Sequence, residues 1–310
     1  MSLGSKITND AAVSSATRGW EFRKGTTAVV TGGTKGIGKA IVEELAHKGC
    51  RVLTCCRNSD ELKKCIAEWQ SQGLHNVDGI AVDISTDDGR QVLLNEIYEW
   101  LSEGREAEEA QDEKEGALES NNNDVENGNK NDHQTTKTKN KSKPPQKKKK
   151  KKKVDKHSLQ LDILVNNVGT NIRKLTVDYT QEEIQKIFDT NFFSMYSLTV
   201  ACYPLLKRKQ QHNRQRTTSS VINIGSVAGV TCMKSGTPYA STKAAMNQLT
   251  GNLVRAYRTS VFVCHVSCVF FKRVYCCVVH VLCKINTLTN GSLLSVCACV
   301  CVYPFPTLRT

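Results

Sequence analysis

The chain has 310 residues, with 43 lysines and arginines against 30 acidic residues and a formal net charge of +13. Apolar residues make up 39% and aromatics 6%, low for a compact enzyme, and the excess polarity is local. Lys147 to Lys153 are seven consecutive lysines, preceded by Lys137, Lys139, Lys141 and Lys143, and these eleven carry nearly all of the net charge. The global pI therefore excludes nothing and implies nothing about the rest of the chain. The first residues have no apolar h-region, so no secretory signal is expected. They are rich in Ser, Thr and Ala, with Lys6 and Arg18 as their basic residues. The expected compartment is the cytosol, with nuclear or plastid targeting left open.

In chain order, residues 1–19 read as an N-terminal extension and 20–258 as the core. Thr27 to Val30 is a short apolar, β-prone run. It leads into Thr31-Gly32-Gly33-Thr34-Lys35-Gly36-Ile37-Gly38, then a helical pattern from Lys39 to Lys48 with Ile41, Val42 and Leu45 apolar. Strand, glycine loop and helix together point to a phosphate site, because glycines let the backbone approach and the helix N-terminus supplies N–H groups. A glycine turn with no ligand is the plain alternative. Arg51 to Cys56 is a second strand, Ser59 to Gln72 a helix, Val77 to Ile84 a third strand, and Asp87 to Leu101 the next helix. Arg57, just past the second strand, offers a fork that fits a 2′-phosphate. An acid there would instead bind a ribose and favour NAD. Lys35 adds a second positive charge, so NADP(H) is the expected cofactor.

Residues 103–157 interrupt the pattern with an acidic stretch, a polar stretch and the lysine run. Almost no apolar residue occurs there, so the segment is expected to be a disordered, charged insert. It falls at the amino ends of the strands, opposite a site at their carboxyl ends. The lysine run also allows a nuclear-import or nucleic-acid patch. No aromatic residue interleaves it, so base stacking is not suggested and nucleic acid is not the expected partner.

Leu161 to Val165 is the fourth strand. Thr180 opens a long helix to about Lys209, and Thr180 with Glu183 forms a capping box. Val221 to Ile224 is the fifth strand and Tyr239 to about Arg258 the last helix. Strands alternating with helices argue an α/β fold, a doubly wound parallel sheet in a single Rossmann-like domain. Ser226, Tyr239 and Lys243 stand at spacings of thirteen and four. Tyr and Lys four apart share a helix face, and an ammonium beside a phenol favours phenolate. That makes Tyr239 a proton donor to a carbonyl.

Residues 259–310 read as an atypical Cys/Val-rich tail holding eight of the 14 cysteines. Its biased composition looks like translated non-coding sequence. It lacks paired Cys-x-x-Cys spacings, so no metal is expected. Lys272 and Arg273 interrupt its apolar run, so no membrane span is expected. The other six cysteines, at 50, 55, 56, 65, 202 and 232, are expected to be small buried hydrophobes.

The chain resembles the short-chain dehydrogenases/reductases, and within them the tropinone-reductase-like group. The residues that carry this are TGGTKGIG (31–38), VDIS (82–85), NNVGTNIRK (166–174), Asn191 in DTNFFSMYSL, GSVAG (225–229), YASTK (239–243) and AMNQLTGNL (245–253). The resemblance covers roughly 20–102 and 158–258. It implies an NADPH-dependent oxidoreductase acting on a small ketone, cyclic ones included, or the matching alcohol, in a homo-oligomer. Tyr239 would give the proton, Ser226 would orient the carbonyl oxygen, and Lys243 would assist Tyr239 and contact the nicotinamide ribose. Asn191 would hold a water relaying protons to Lys243. Gly32, Thr34, Lys35, Gly36, Ile37, Gly38, Arg57, Asp83, Ile84, Asn166, Val168, Gly169, Tyr239 and Lys243 would bind the cofactor, with Asp83 against the adenine and Asn166 near the adenosine ribose. The family continues past the last helix with a sixth strand, a Pro-Gly turn and a seventh strand. The tail carries no Pro-Gly, so the fifth strand is expected to be an exposed edge. The alternative is a nucleotide-binding but catalytically inactive relative, or a mis-predicted fragment of such an enzyme.

Overall fold

The computed structural model describes residues 22–123, 158–207, 219–257, 261–267 and 298–300. Among them, strands and helices alternate as β1 (Thr27–Thr31), α1 (Gly36–His47), β2 (Arg51–Cys56), α2 (Ser59–Ser71), β3 (Val77–Ala81) and α3 (Asp87–Asn123). Then come β4 (Ile163–Asn166), α4 (Gln181–Phe188), α5 (Ser194–Leu206), β5 (Ser219–Ile224), α6 (Thr237–Tyr257), β6 (Val261–Ser267) and β7 (Ala298–Val300). A π-helical turn, Asp189–Phe193, joins α4 to α5. The sheet order is β3-β2-β1-β4-β5-β6-β7, and every pairing is parallel.

A parallel sheet needs cover on both faces, so its strands read as unbroken apolar runs. Every residue of β1 and β4 is buried. Successive side chains point to opposite faces. Ala28 and Val30 therefore join Ile41, Leu45 and Trp69 on the α1/α2 side, while Val29 joins Leu93, Ile97, Leu198 and Leu205 under α3 and α5. Strand order reverses about β1, which pairs with β2 on one side and β4 on the other. Loops leaving the carboxyl ends of β1 and β4 diverge there and open a crevice. The capping box forms as expected: Glu183 N donates to Thr180 Oγ1 at 3.3 Å and Thr180 N to Glu183 Oε2 at 3.1 Å.

Three expectations are corrected. First, the third helix does not stop at Leu101 but continues to Asn123. Residues 102–118 are rich in Glu and Ala, which propagate a helix cheaply once it is nucleated on the core. The expected insert thus begins with helix, and its residues 124–157 lie outside the described residues. Its root is nonetheless at the amino ends of the strands. Arg105 hydrogen-bonds Ser158, and both line a small cleft of about 170 Å³ with Thr27 and Arg51, the opening residues of β1 and β2.

Second, β5 is not an edge. Val261 to Val266 pairs with Ser219 to Ile224 residue by residue, and His265 to Ser267 pairs with Ala298 to Val300. The valine-rich composition that marked the tail as foreign is also what favours strand. Third, Cys56 is half-buried and Cys232 exposed, whereas Cys50, Cys55, Cys65 and Cys202 are buried. Cys56 ends β2 where the chain leaves the sheet, and Cys232 lies on a loop. Burial pushes the thiols of Cys55 and Cys202 up to about 12. Among the described residues no helix is long and apolar enough to cross a membrane, and no cluster of His, Cys, Asp or Glu could hold a metal ion.

Candidate functional site

The crevice at the carboxyl ends is a cleft of about 760 Å³, within the range of cofactor sites. Its walls are the glycine loop, the end of β2, Val82 to Ile84 after β3, and Asn167 to Gly169 after β4. The loop's glycines are dictated by space and conformation. Gly32 has φ +70, a left-handed conformation that L side chains rarely adopt. A Cβ on Gly38 would sit 2.1 Å from the Gly32 carbonyl oxygen, so α1 could not close on the loop. Lys35 is the N-cap of α1, and neither a side-chain cap nor an acid occupies the first turn. The N–H end of α1 is thus open, where a side-chain cap would otherwise hold it.

Lys35, Arg57, Asn58 and Glu61 line one part of this cleft. Lys35 Nζ lies 2.5 Å from Glu61 Oε2. That bond holds the Lys35 ammonium above its ordinary range and the Glu61 carboxyl below its own. Asn58 caps α2 by accepting from Asp60 N and Glu61 N at 3.0 Å each, which fixes where Glu61 starts. Asp83 is on the rim, its Oδ1 accepting from Ser85 N at 3.0 Å and Ser85 Oγ at 2.7 Å. Burial works to raise the Asp83 carboxyl, but the Ser85 bonds outweigh it, with Arg57 adding, and hold it below the usual range.

The second half of the site is assembled around α6. Lys243 is almost wholly buried; its Nζ donates to the Ile224 carbonyl at 2.8 Å and lies 5.8 Å from the centre of the Tyr239 ring. Ile224 is the last residue of β5, so the ammonium is pinned at the carboxyl edge of the sheet. Burial lowers the Lys243 ammonium to about 8. Ser226, two residues past β5, caps the short 3₁₀ turn Val227–Gly229 by accepting from Ala228 N at 3.2 Å. A Cβ on Gly229 would meet the Lys243 carbonyl at 2.8 Å, so glycine is what lets this turn pack on α6.

Asn191 lies in the π-helical turn, fully buried. π-Turns cluster at functional sites. Its Oδ1 accepts from Thr170 N at 2.7 Å, and its Nδ2 donates to Thr170 O at 3.0 Å and Thr242 Oγ1 at 3.1 Å. Thr242 Oγ1 in turn donates to the Tyr239 carbonyl at 2.7 Å. The Asn191 side chain therefore ties the β4 loop to α6, with both of its amide N–H groups taken. Gly169 connects the two halves: a Cβ built on it would lie 3.5 Å from Asn191 Oδ1 and 3.8 Å from Lys243 Nζ.

Of the residues expected to hold a cofactor, Gly32, Thr34, Lys35, Arg57, Asp83, Ile84, Val168 and Gly169 line the cleft. Gly36, Ile37 and Gly38 form the start of α1 beside it. Asn166 does not line it: the side chain is buried, donating to Thr199 Oγ1 at 3.0 Å and Asn223 Oδ1 at 2.8 Å. The neighbour Asn167 lines it instead, donating through Nδ2 to Thr31 O at 3.0 Å and Gly32 O at 3.1 Å. In an Asn-Asn pair at a strand end, side-chain alternation sends one inward and one outward, and composition cannot say which. Glu61 also escaped notice, because an acid in the first turn of a capped helix is ordinary helix chemistry.

The profile of the short chain dehydrogenase family matches residues 26–103 and 111–274, most of the chain. The chain belongs to the short chain dehydrogenase family. Among curated members of this dehydrogenase family, a tropinone reductase homolog of Arabidopsis thaliana is 37% identical, covering 74% of this chain and 62% of its own. A tropinone reductase homolog of Datura stramonium is 31% identical, covering 76% and 64%. Senescence-associated protein 13 of Arabidopsis thaliana is 33% identical, covering 74% and 61%. The chain spans about three fifths of the length of these curated relatives. Among solved structures, a Pseudomonas aeruginosa RhlG/NADP active-site complex is 24% identical with a TM-score of 0.55, covering 79% of this chain and 72% of that one. A short-chain dehydrogenase from Streptomyces avermitilis gives 19% and 0.54, covering 79% and 66%. These two structures establish a shared dehydrogenase fold.

Proposed function

We propose that this short chain dehydrogenase is an NADP(H)-dependent oxidoreductase that reduces the carbonyl of a small ketone, a cyclic one by analogy with the tropinone reductase homologs. The observation that carries the reading is the placement of Lys243. Its buried ammonium lies beside Tyr239 and, through Gly169, borders the same crevice as the glycine loop. The cofactor fits on three counts: the glycine cradle that a Cβ would fill, the uncapped N-terminus of α1, and the cationic pair Lys35 and Arg57. The N–H end of α1 and the loop would take the pyrophosphate, Lys35 and Arg57 the 2′-phosphate, and Asp83 the adenine side. When bound, the nicotinamide supplies the hydride.

Tyr239 gives its hydroxyl proton to the carbonyl oxygen. Ser226 donates a hydrogen bond to the same oxygen and fixes the carbonyl's direction. Lys243, charged below about pH 8, favours the phenolate that Tyr239 becomes. Asn191 positions the β4 loop and α6 relative to each other, and would hold the water that relays a proton to Lys243. The same reading includes a homo-oligomer and a cytosolic enzyme. It is tested by titrating NADPH and NADH against protein fluorescence and by following ketone-dependent NADPH oxidation. Tyr239→Phe is expected to abolish turnover and leave coenzyme affinity within about twofold, since its hydroxyl acts on the substrate oxygen. A Tyr239→Phe protein with most of its kcat overturns the mechanism. Coenzyme binding without turnover in the unaltered protein identifies an inactive nucleotide-binding relative.

A further inference from the structure

The cationic corner of the cleft is not purely cationic. Glu61, in the first turn of α2, reaches across the mouth to Lys35 at 2.5 Å, and the Lys35 side chain is otherwise 79% exposed. Glu61 itself lines the cleft together with Arg57. Thr34, beside Lys35 in the glycine loop, lines the same cleft as Glu61. The acid is well placed by Asn58, which fixes the start of α2. Any 2′-phosphate entering between Lys35 and Arg57 meets this carboxylate.

We infer that Glu61 is a specificity-determining residue of the coenzyme pocket, holding Lys35 by ion pairing and thereby limiting how strongly the pocket prefers a 2′-phosphate over a 2′-hydroxyl. This rests on the NADP(H) reading of the cleft and deepens it. Two effects act in the same direction. Lys35 must share its charge between Glu61 and a phosphate, and the carboxylate repels the phosphate directly. A ribose bearing a free 2′-hydroxyl meets neither obstacle, and its hydroxyl can donate to the carboxylate. Glu61 therefore narrows the gap between the two coenzymes, which Lys35 and Arg57 would otherwise widen.

The test uses probes of the adenosine half alone, adenosine 2′,5′-bisphosphate and 5′-AMP, titrated by calorimetry into the full chain. Glu61→Gln is expected to tighten the bisphosphate by about tenfold, the effect of removing one nearby charge at the protein surface, with 5′-AMP unchanged or weaker. Glu61→Asp keeps the charge but shortens the reach to Lys35, and should fall between the two. In a Lys35→Ala background the Glu61→Gln gain shrinks to the part due to direct repulsion, which separates the two effects. A bisphosphate-to-AMP affinity ratio in Glu61→Gln within about twofold of the unaltered protein overturns the inference. Arg57→Ala keeps the two failures apart. If it leaves the bisphosphate affinity unchanged, the NADP(H) reading fails whatever Glu61 does. If it weakens the bisphosphate while Glu61→Gln changes nothing, the reading stands and the role of Glu61 is refuted.

Discussion

At the scale of single residues, Lys243 shows how burial converts an ordinary side chain into one with a titration near working pH. The unfolded chain titrates it near 10.5 and the folded one near 8, and burial is the cause. Between these values the unfolded state holds more protons, so the native state gains stability as pH rises from about 8 to about 10.5 and gains nothing below 8. The gap corresponds to at most about 3 kcal/mol. Urea unfolding at about pH 7.5 and about pH 10 should show this gain, and Lys243→Met should lack it. An equal pH response in both proteins would contradict the buried, shifted ammonium. Activity should run the other way. Above about pH 8 the charge that favours the Tyr239 phenolate is lost, so the support Lys243 gives to proton transfer declines.

At the scale of elements, α3 divides into a half that packs and a half that extends. Leu93, Ile97, Trp100 and Leu101 are buried, and Trp100 Nε1 donates to Asp78 Oδ2 at 2.7 Å. Arg51 stacks on the Trp100 ring at 4.3 Å and closes this packed half. Beyond it the sequence carries charge and helix formers but almost no apolar residue. Ala110→Pro should therefore lower helix content by far-ultraviolet circular dichroism while moving Tm by less than about 2 °C, since a sequence this poor in apolar residues confines to the local helix the roughly 3 kcal/mol that proline costs a helix interior. A drop of more than about 5 °C would mean that the extension packs on the core. The joint between α4 and α5 is the opposite kind of element. Its π-turn buries Asn191 and spends that side chain on Thr170 and Thr242, so a local irregularity holds two distant segments in register.

At the scale of the whole molecule, the stability of the half built around α6 depends on what lies beside β5. Ser219 to Ile224 are all buried, and β6 pairs with all six of them. A chain ending at Arg258 would leave β5 as a long apolar edge. It should therefore be less soluble than the full chain and elute as aggregate in size-exclusion chromatography, and the Ile224 carbonyl that holds Lys243 should lose its fixed position. If the shortened chain is monodisperse and as stable as the full one, β6 contributes nothing to the sheet.

The sequence by itself determined the fold class and which residues could form a site. The alternating apolar runs required a parallel sheet with both faces covered, the glycine loop at a strand end required a close backbone approach, and Tyr239 and Lys243 share a helix face at any four-residue spacing. Those are local rules, each readable within a few residues. Tertiary structure decided the rest, because it depended on neighbours far apart in the chain. Which asparagine of the pair at 166–167 faces the cleft followed from the register of β4 against β1 and β5. That Lys35 meets Glu61 followed from how α2 docks beside the glycine loop. Whether the valine-rich tail belonged to the sheet turned on its residue-by-residue pairing with β5, which only the assembled strands reveal. The burial that lowers Lys243 came last, from the closure of α6 on the Gly229 turn, a long-range packing event that no spacing in the sequence records.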